Sequence, residues 1–335
     1  MRHEASVTSI SWIPSEAMSG PLRVPVDLGI GHYDPPPPDV IDDLAALRES
    51  DRFRFANHLA AYVDVEDGRI VDAGYTGGGL IGATTLRMAG RSVTIPAVAY
   101  PELQSAPEVG VDNVRFVQTA GGRTGAPLPR RINRPPFIQI TAPTAWTTLA
   151  LTIGADGSSS FEVVGASPFP RHWFYDGSGA LARKSGVIDF SQWAAEQTHD
   201  RSPWHDVEVP AEVADVETAT ERDVSLQIMG ATCHSLRKYR EGEELVRQGE
   251  PAVEVMLVLD GLTDVVVDGA VVAEAGPGSI LGERAALEGG RRTATVRART
   301  AVKVAIVAPD TLDAAALAEV AAGHHRESRY PEGES

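Results

Sequence analysis

Residues 278–296 read GSILGERAALEGGRRTATV, and this stretch decides the fold of the last third of the chain. Gly282 ends an apolar, strand-like run, and Glu283 begins a short segment that is compatible with a helix. Arg292 follows a Gly-Gly turn that can fold the chain back toward Glu283. Arginine is a forked, charge-assisted donor to phosphate, and a glutamate accepts from a hydroxyl. The pair would suit a small phosphate-bearing sugar, although a Glu–Arg pair at this spacing also fits an exposed ion pair.

Short runs rich in β-branched residues surround this stretch. They read ELVRQ, VEVMLVLD, TDVVVDG, VVAEAG, TATVRA and VKVAIV, and Asp-Gly pairs at 260–261 and 268–269 indicate hairpin turns. We therefore expect a β-roll or barrel here. A helix is predicted before it over residues 220–233, capped by Thr220 with Asp223, and an alanine-rich helix after it over residues 312–322.

The run from Tyr239 to Val307 resembles the cyclic-nucleotide-binding domain, which protein kinase A regulatory subunits, nucleotide-gated channels and the bacterial catabolite activator protein share. YREGEELVRQGEPAVEVMLVLDG resembles the early turns of that β-roll, AGPGSILGERAAL its phosphate-binding cassette, and RRTATVRA the cassette's closing arginine and next strand. The resemblance covers roughly residues 222–310. It implies a regulatory cyclic-nucleotide ligand, with cAMP favoured and cGMP as second choice, and no metal.

The resemblance also implies roles for single residues. Glu283 matches the glutamate that binds the ribose 2′-hydroxyl, and Arg292 matches the arginine that pairs with the cyclic phosphate. Gly282 and Ala285 match positions where backbone groups approach the ribose phosphate. Thr293 matches a residue that adds a hydroxyl contact to the phosphate or the base.

Apolar residues of the same region are candidate walls of the site, and plain β-roll core explains each of them equally well. They are Val265, Val267, Ile280, Leu281 and Val296. Leu281 replaces a common phenylalanine, and Arg291 replaces a proline that often precedes the phosphate arginine. Spacing favours Arg292 over Arg291 as the phosphate ligand, because alternation along the next strand would point Arg291 away.

Residues 1–197 read mostly as strands, in runs such as AAYVDVEDG, VRFVQTAGG, FIQITAP, TTLALTIGADG and SFEVVGAS. The last two predict a hairpin. Helices are predicted over residues 38–59 and 190–197. We expect a mainly β protein, with an N-terminal antiparallel sandwich or barrel followed by the β-roll and its flanking short helices.

The predicted organisation has four parts. Residues 1–197 form a β-rich domain of unidentified function, residues 198–218 an acidic linker with two prolines, residues 219–322 the cyclic-nucleotide-binding domain, and residues 323–335 a disordered tail.

Composition argues against several partners. The chain of 335 residues has 46 acidic and 30 basic residues and a net charge of -16, which disfavours direct binding to nucleic acid or to an anionic membrane. Only 26 residues follow Pro309, too few for a winged helix-turn-helix. No signal-peptide core or membrane-length apolar run occurs, and the single Cys233 fits a reducing compartment, so we expect a cytoplasmic protein.

The N-terminal half contains scattered acid–base candidates and no predicted catalytic residue. They are His32 with Asp34, His58, and His172 with Asp176, and none has metal-site spacing. A loop over residues 121–136 concentrates four arginines. Three functions stay open: a nucleotide-controlled binding module, which we favour, a cAMP-regulated enzyme, and a transcription regulator acting through a partner protein. A homodimer, and a protein partner or small ligand at the N-terminal domain, also stay open.

Overall fold

The computed structural model describes residues 1–14, 34–88, 91–124, 128–131, 135, 138–141, 144–190, 193, 202–207, 209–230, 234–251, 254–287 and 290–327. The chain divides into two compact units, residues 1–212 and 213–335. Most of the described structure is antiparallel strand, so the expected mainly β class is confirmed. His32, Arg134 and Cys233 lie outside the described residues.

The first unit contains sixteen described strands and one α-helix. The strands are β1 (Arg2–Trp12), β2 (Phe55–Glu66), β3 (Arg69–Tyr75), β4 (Gly78–Ile81), β5 (Ala83–Met88), β6 (Arg91–Pro96), β7 (Val98–Ala99), β8 (Leu103–Gln104), β9 (Glu108–Val109), β10 (Asn113–Arg123), β11 (Leu128–Arg131), β12 (Ile138–Thr141), β13 (Thr144–Gly154), β14 (Ser159–Ala166), β15 (Arg171–Tyr175) and β16 (Leu181–Ser185). The helix is α1 (Leu44–Glu49).

Two sheets of this unit pack face to face. One has the order β16-β15-β1-β2-β3 with β4 also on β2, and the other has the order β14-β13-β10-β7 with β8 and β9 also on β10. Strand β2 contacts β10 and β13 across the interface, and β1 contacts β13. Large side chains such as Phe116, Trp146 and Leu149 are buried between them. The expected antiparallel sandwich and its β13–β14 hairpin are therefore confirmed.

The long helix predicted over residues 38–59 is wrong. Asp43 caps a helix of only six residues, because its carboxylate accepts from the N–H groups of Ala45 and Ala46. Asp51 then adopts a left-handed φ of 54°, and the chain enters β2 at Phe55. Of the apolar residues that suggested helical spacing, Leu44 and Leu47 lie in this short helix, whereas Phe53, like Leu59 at the end of the predicted range, is fully buried in the core. Core burial outweighs the local helical pattern.

Two other expectations for this part of the chain also change. The arginine-rich segment is not simply a loop, because Arg123 ends β10 and β11 pairs with β12. The segment expected to be a linker holds a 3₁₀ turn over Pro203–His205 and the strand β17 (Val213–Asp215), which belongs to the second unit.

The second unit adds eight more strands and three α-helices. They are α2 (Ala219–Gly230), β18 (Ser235–Tyr239), β19 (Glu244–Val246), β20 (Val255–Asp260), β21 (Thr263–Val267), β22 (Ala270–Ala275), β23 (Ile280–Leu281), α3 (Glu283–Leu287), β24 (Thr295–Ala298), β25 (Val302–Val307) and α4 (Ala314–Glu327), with a 3₁₀ turn over Pro309–Thr311.

Its strands form a β-roll of two sheets, ordered β18-β25-β20-β23 and β19-β24-β21-β22. Strand β20 is buried on both faces, which explains its continuous apolar run. Met256 and Val258 join a cluster inside the roll, whereas Val255 and Leu257 pack with side chains of α2 and α4. The roll therefore has an inner core and a second core beneath its helices.

The helix predicted before the roll is present, but its cap differs. Thr218 and Glu221 form the capping box, since the Glu221 N–H donates to Thr218 Oγ1 at 3.2 Å and the Thr218 N–H donates to Glu221 Oε2 at 2.9 Å. The helix predicted after the roll reaches Glu327, so residues 323–327 of the expected disordered tail are helical. Among the described residues, no helix is long and apolar enough to cross a membrane.

Candidate functional site

Gly282 and Arg292 meet at the start of α3. Gly282 has a left-handed φ of 90°, and a Cβ built on it would lie 2.1 Å from Nη1 of Arg292. The guanidinium therefore lies directly against the backbone of the glycine. Arg292 is 7% exposed, whereas Arg291 is exposed and donates from Nη1 to the carbonyl of Gly249 at 2.7 Å. Only the second arginine of the pair enters the interior beside Gly282.

Arg292 is a buried cation without a bonded anion among the described residues. Its described side-chain hydrogen bond goes from Nη1 to the main-chain carbonyl of Glu254 at 3.0 Å. Burial lowers the pKa of Arg292 below its usual value, and the negative charges of Glu254 and Glu283 act in the opposite direction. A desolvated guanidinium with a neutral acceptor is well suited to take an anion.

Glu283, the first residue of α3, is 5% exposed and close enough to Arg292 for its charge to act on the guanidinium. Its carboxylate already has a protein partner. Oε1 lies 2.8 Å from Nδ1 of His324 in α4. The structure thus brings the predicted glutamate and arginine into one site, with a histidine on the glutamate.

His324 also joins this site to α2. Its Nε2 lies 3.2 Å from Oε1 of Glu221, which is 6% exposed and also accepts weakly from the Ile280 N–H at 3.4 Å. The hydrogen bonds that His324 donates, first to Glu221 and then to Glu283, raise its pKa to about 10. Burial favours the neutral acid of Glu221, but the bonds from His324 and the Thr218 N–H outweigh it and hold its pKa below the usual value.

Sequence reasoning did not identify His324 or Glu221. Glu221 and His324 are 103 positions apart. His324 also fell in the segment expected to be disordered. No local motif marks either residue, and only the packing of α4 on α2 and α3 brings them together.

The other predicted residues are distributed around the site. Ala285 is buried in α3, 3% exposed. Leu281 and Val296 belong to the core inside the roll, whereas Ile280 packs on the helix side. Val265 pairs with Val296 across β21 and β24 and is half-buried, as is Val267, and Thr293 is exposed. Of the proposed apolar walls, Leu281 and Val296 are the ones that lie in the core inside the roll.

The acid–base candidates of the first unit make contacts within its fold. His172 is fully buried, with Nδ1 2.7 Å from Ser11 Oγ and Nε2 2.8 Å from the carbonyl of Ser167, and burial lowers its pKa to about 4. It is a neutral imidazole that donates to the carbonyl and accepts from the serine.

The other candidates that the structure describes have structural partners as well. His58 lies 2.8 Å from Thr8 Oγ1, and burial lowers its pKa. The carboxylate of Asp34 forms a buried ion pair with Arg54, and Asp176 accepts from N–H groups in its own turn. Among the described residues, no group of acidic, histidine or cysteine side chains could hold a metal ion.

Residues 236–318 match the family model of the cyclic nucleotide-binding domain. The resemblance inferred for the C-terminal third is thereby confirmed, and this part of the chain is a cyclic nucleotide-binding domain with a β-roll fold. No curated protein matches the chain significantly.

Several solved structures are similar to part of the chain. A cyclic nucleotide-binding domain from Methylobacillus flagellatus is 23% identical, with a TM-score of 0.26, over 28% of this chain and 64% of that chain. A structure described as Sp-2Cl-cAMPS bound to PKAR CBD2 is 21% identical, with a TM-score of 0.24, over 32% and 79%. FixK2 from Bradyrhizobium japonicum is 21% identical, with a TM-score of 0.25, over 29% and 54%. The chain thus spans less than two thirds of the Methylobacillus structure.

Proposed function

We propose that this protein is a cAMP-responsive regulatory protein in which Arg292 and Glu283 hold the nucleotide. The nucleotide in turn controls the N-terminal β sandwich. The family match of residues 236–318 supports a cyclic nucleotide as the ligand.

The observation that carries this proposal is that the charge of Arg292 is buried without a bonded anion among the described residues. Its guanidinium is 7% exposed, lies against Gly282 and donates to a main-chain carbonyl rather than to a carboxylate in the described residues. Keeping a charge in such surroundings is costly unless an anion compensates it. A cyclic phosphate would supply the anion through charge-assisted hydrogen bonds.

Glu283 supplies the second half of the recognition. Glu283 adjoins Gly282 in the chain, and its charge acts on the guanidinium of Arg292. An ionised carboxylate only accepts hydrogen bonds, so it suits a ribose hydroxyl and disfavours the phosphate. The two charges therefore orient a cyclic nucleotide with its phosphate at Arg292 and its sugar at Glu283.

We favour cAMP over cGMP as the ligand. Thr293 resembles the threonine found in cGMP-selective members of the family, but it is exposed. Nothing in its described surroundings orients the hydroxyl toward a base. Titration of both nucleotides into the same protein distinguishes cAMP from cGMP as the ligand.

The test is a calorimetric titration of cAMP and of cGMP into the full chain and into Arg292→Ala. A hydrogen bond to a charged group contributes about 1.5–3 kcal/mol, so the variant should bind cAMP roughly 10- to 150-fold more weakly. Arg291→Ala is the matched control, because that neighbouring side chain is exposed and bonds Gly249. Equal affinity of Arg292→Ala and wild type, or an equal loss in Arg291→Ala, would overturn the assignment.

A further inference from the structure

Three helices of the second unit meet at the imidazole of His324. The ring is contributed by α4, Glu283 by α3 and Glu221 by α2. The two ring nitrogens lie 2.8 Å and 3.2 Å from carboxylate oxygens of the two glutamates. One side chain therefore connects the proposed sugar-binding carboxylate with both flanking helices.

This geometry requires two protons on the ring. Ionised carboxylates accept hydrogen bonds and do not donate them, and a neutral imidazole has only one N–H. The neutral ring would leave one carboxylate facing a nitrogen lone pair. The contacts in the structure are therefore those of an imidazolium, consistent with a pKa raised to about 10 from the ordinary 6.5.

Among the described residues, two carboxylates act on the charge of His324. Glu221 faces it from α2 and Glu283 from α3, and these are the charged groups that shift its titration. From β23, the Ile280 N–H approaches the same Glu221 oxygen. Arg292 is a cation near Glu283, and its Nη1 donates to the carbonyl of Glu254.

We propose that protonated His324 is a latch that holds α4 on Glu283, and that the sugar hydroxyl of the incoming nucleotide displaces it. This proposal rests on the proposed function. Glu283 would exchange the imidazolium for the hydroxyl, so the nucleotide and the latched helix compete for one carboxylate. Once released from Glu283, His324 loses part of the field that keeps it protonated, and nucleotide binding releases a proton to solvent.

The competition between His324 and the nucleotide for Glu283 predicts the direction in which nucleotide affinity changes with pH. The latched ring stays protonated up to about pH 10, whereas a free imidazole loses its proton near pH 6.5. Between pH 6.5 and about pH 10, the nucleotide-bound protein therefore holds fewer protons than the nucleotide-free protein. Affinity for the nucleotide should therefore rise with pH in this window, by up to about tenfold per pH unit in the limit of one full proton released.

The experiment is calorimetric titration of cAMP into the full chain at pH 8, in two buffers with different ionisation enthalpies. The difference in observed heat gives the number of protons released. Wild type should release part of a proton, and up to one if His324 also leaves Glu221, because the hydrogen bond to Glu221 is the largest cause of the raised pKa of His324. His324→Gln should release almost none and bind cAMP several-fold more tightly. Circular dichroism of each variant verifies folding.

Thr220→Ala is the matched control. The Thr220 hydroxyl donates to Glu319 at 3.0 Å, so this variant removes another contact between α2 and α4 and leaves Glu283 unchanged. It should release the same number of protons as wild type. Tight binding of cAMP without proton release, or weaker binding by His324→Gln, would overturn the latch alone. Failure of both cAMP and cGMP to bind wild type would overturn the proposed function and the latch with it.

Discussion

At the scale of single residues, both the backbone conformation and the packing at position 282 require glycine. Its φ of 90° lies in the region that side chains rarely adopt, and its missing Cβ leaves the space that Nη1 of Arg292 occupies. A family motif marks this glycine in the sequence. The structure adds the reason, which is that the guanidinium reaches the site across the glycine backbone.

We expect Gly282→Ala to weaken cAMP binding at least tenfold, because the new methyl group would displace the guanidinium. It should also lower stability by about 1–3 kcal/mol through backbone strain. Gly269→Ala is the matched control, since Gly269 has a φ of 87° with no atom within 4 Å of its added Cβ. Gly269→Ala should lose stability through backbone strain and bind cAMP as tightly as wild type. Calorimetry and urea unfolding measure the two effects, and similar affinities for the two variants would contradict the prediction.

At the scale of elements, three helices on the roll are held by apolar and ionic contacts. Val224 and Ile228 of α2 and Leu317 and Val320 of α4 share one core with β20 and β25. The imidazole of His324 adds ion pairs to α2 and α3 at the edge of that core. Apolar burial is insensitive to mild changes in pH, whereas the ion pairs exist only while both partners are charged.

Stability of the second unit should therefore depend on pH in a defined direction. The pKa of His324 is raised in the folded state, so its contribution is complete below pH 6.5 and is lost as the pH rises toward 10. The pKa of Glu221 is lowered, so its contribution is present above pH 4.5 and is lost on acidification. We expect His324→Gln to cost about 1.5–3 kcal/mol near pH 6 and little at pH 10.

Urea unfolding of the nucleotide-free chain measures this difference. All five tryptophans lie between residues 12 and 204, so their fluorescence follows the first unit, and far-ultraviolet circular dichroism adds the second. Thr220→Ala should show a cost that does not change between pH 6 and 10. A constant difference between wild type and His324→Gln over the same range would contradict the prediction.

At the scale of the whole molecule, the chain combines a sandwich with its own core and a β-roll with two cores. The acid–base candidates that the structure describes in the sandwich are engaged in its fold, as His172 between Ser11 and Ser167 illustrates. Regulation of this unit by the nucleotide requires a coupling free energy between the two units, and such coupling is reciprocal.

Hydrogen exchange of the full chain with and without saturating cAMP tests this coupling. If the nucleotide controls the sandwich, amides within residues 1–212 should change protection as well as those in 213–335. Couplings of 1–3 kcal/mol correspond to roughly 5- to 150-fold changes in exchange rate. Arg292→Ala should remove the changes in both units. Changes confined to residues 213–335 would show that the nucleotide does not control the sandwich.

The sequence alone predicted the structural elements that are specified by residues close together in the chain. The strands of the roll, its Asp-Gly turns and the contiguous segment that carries Gly282, Glu283 and Arg292 could be read directly, because short turns bring near neighbours together. The same reasoning failed for residues 38–59, where helical spacing competed with burial of Phe53 and Leu59 in the sandwich.

Only the tertiary structure decided which groups surround the site. His324 and Glu221 reach Glu283 from distant positions in the chain, through the packing of α4 on α2 and α3. A lone histidine in a polar, alanine-rich terminus has no local pattern that reports its partners. The charge of His324 is set by two carboxylates that the fold brings next to it, because electrostatic fields act through space. The sequence shows only which residues are neighbours along the chain, so it does not reveal these partners.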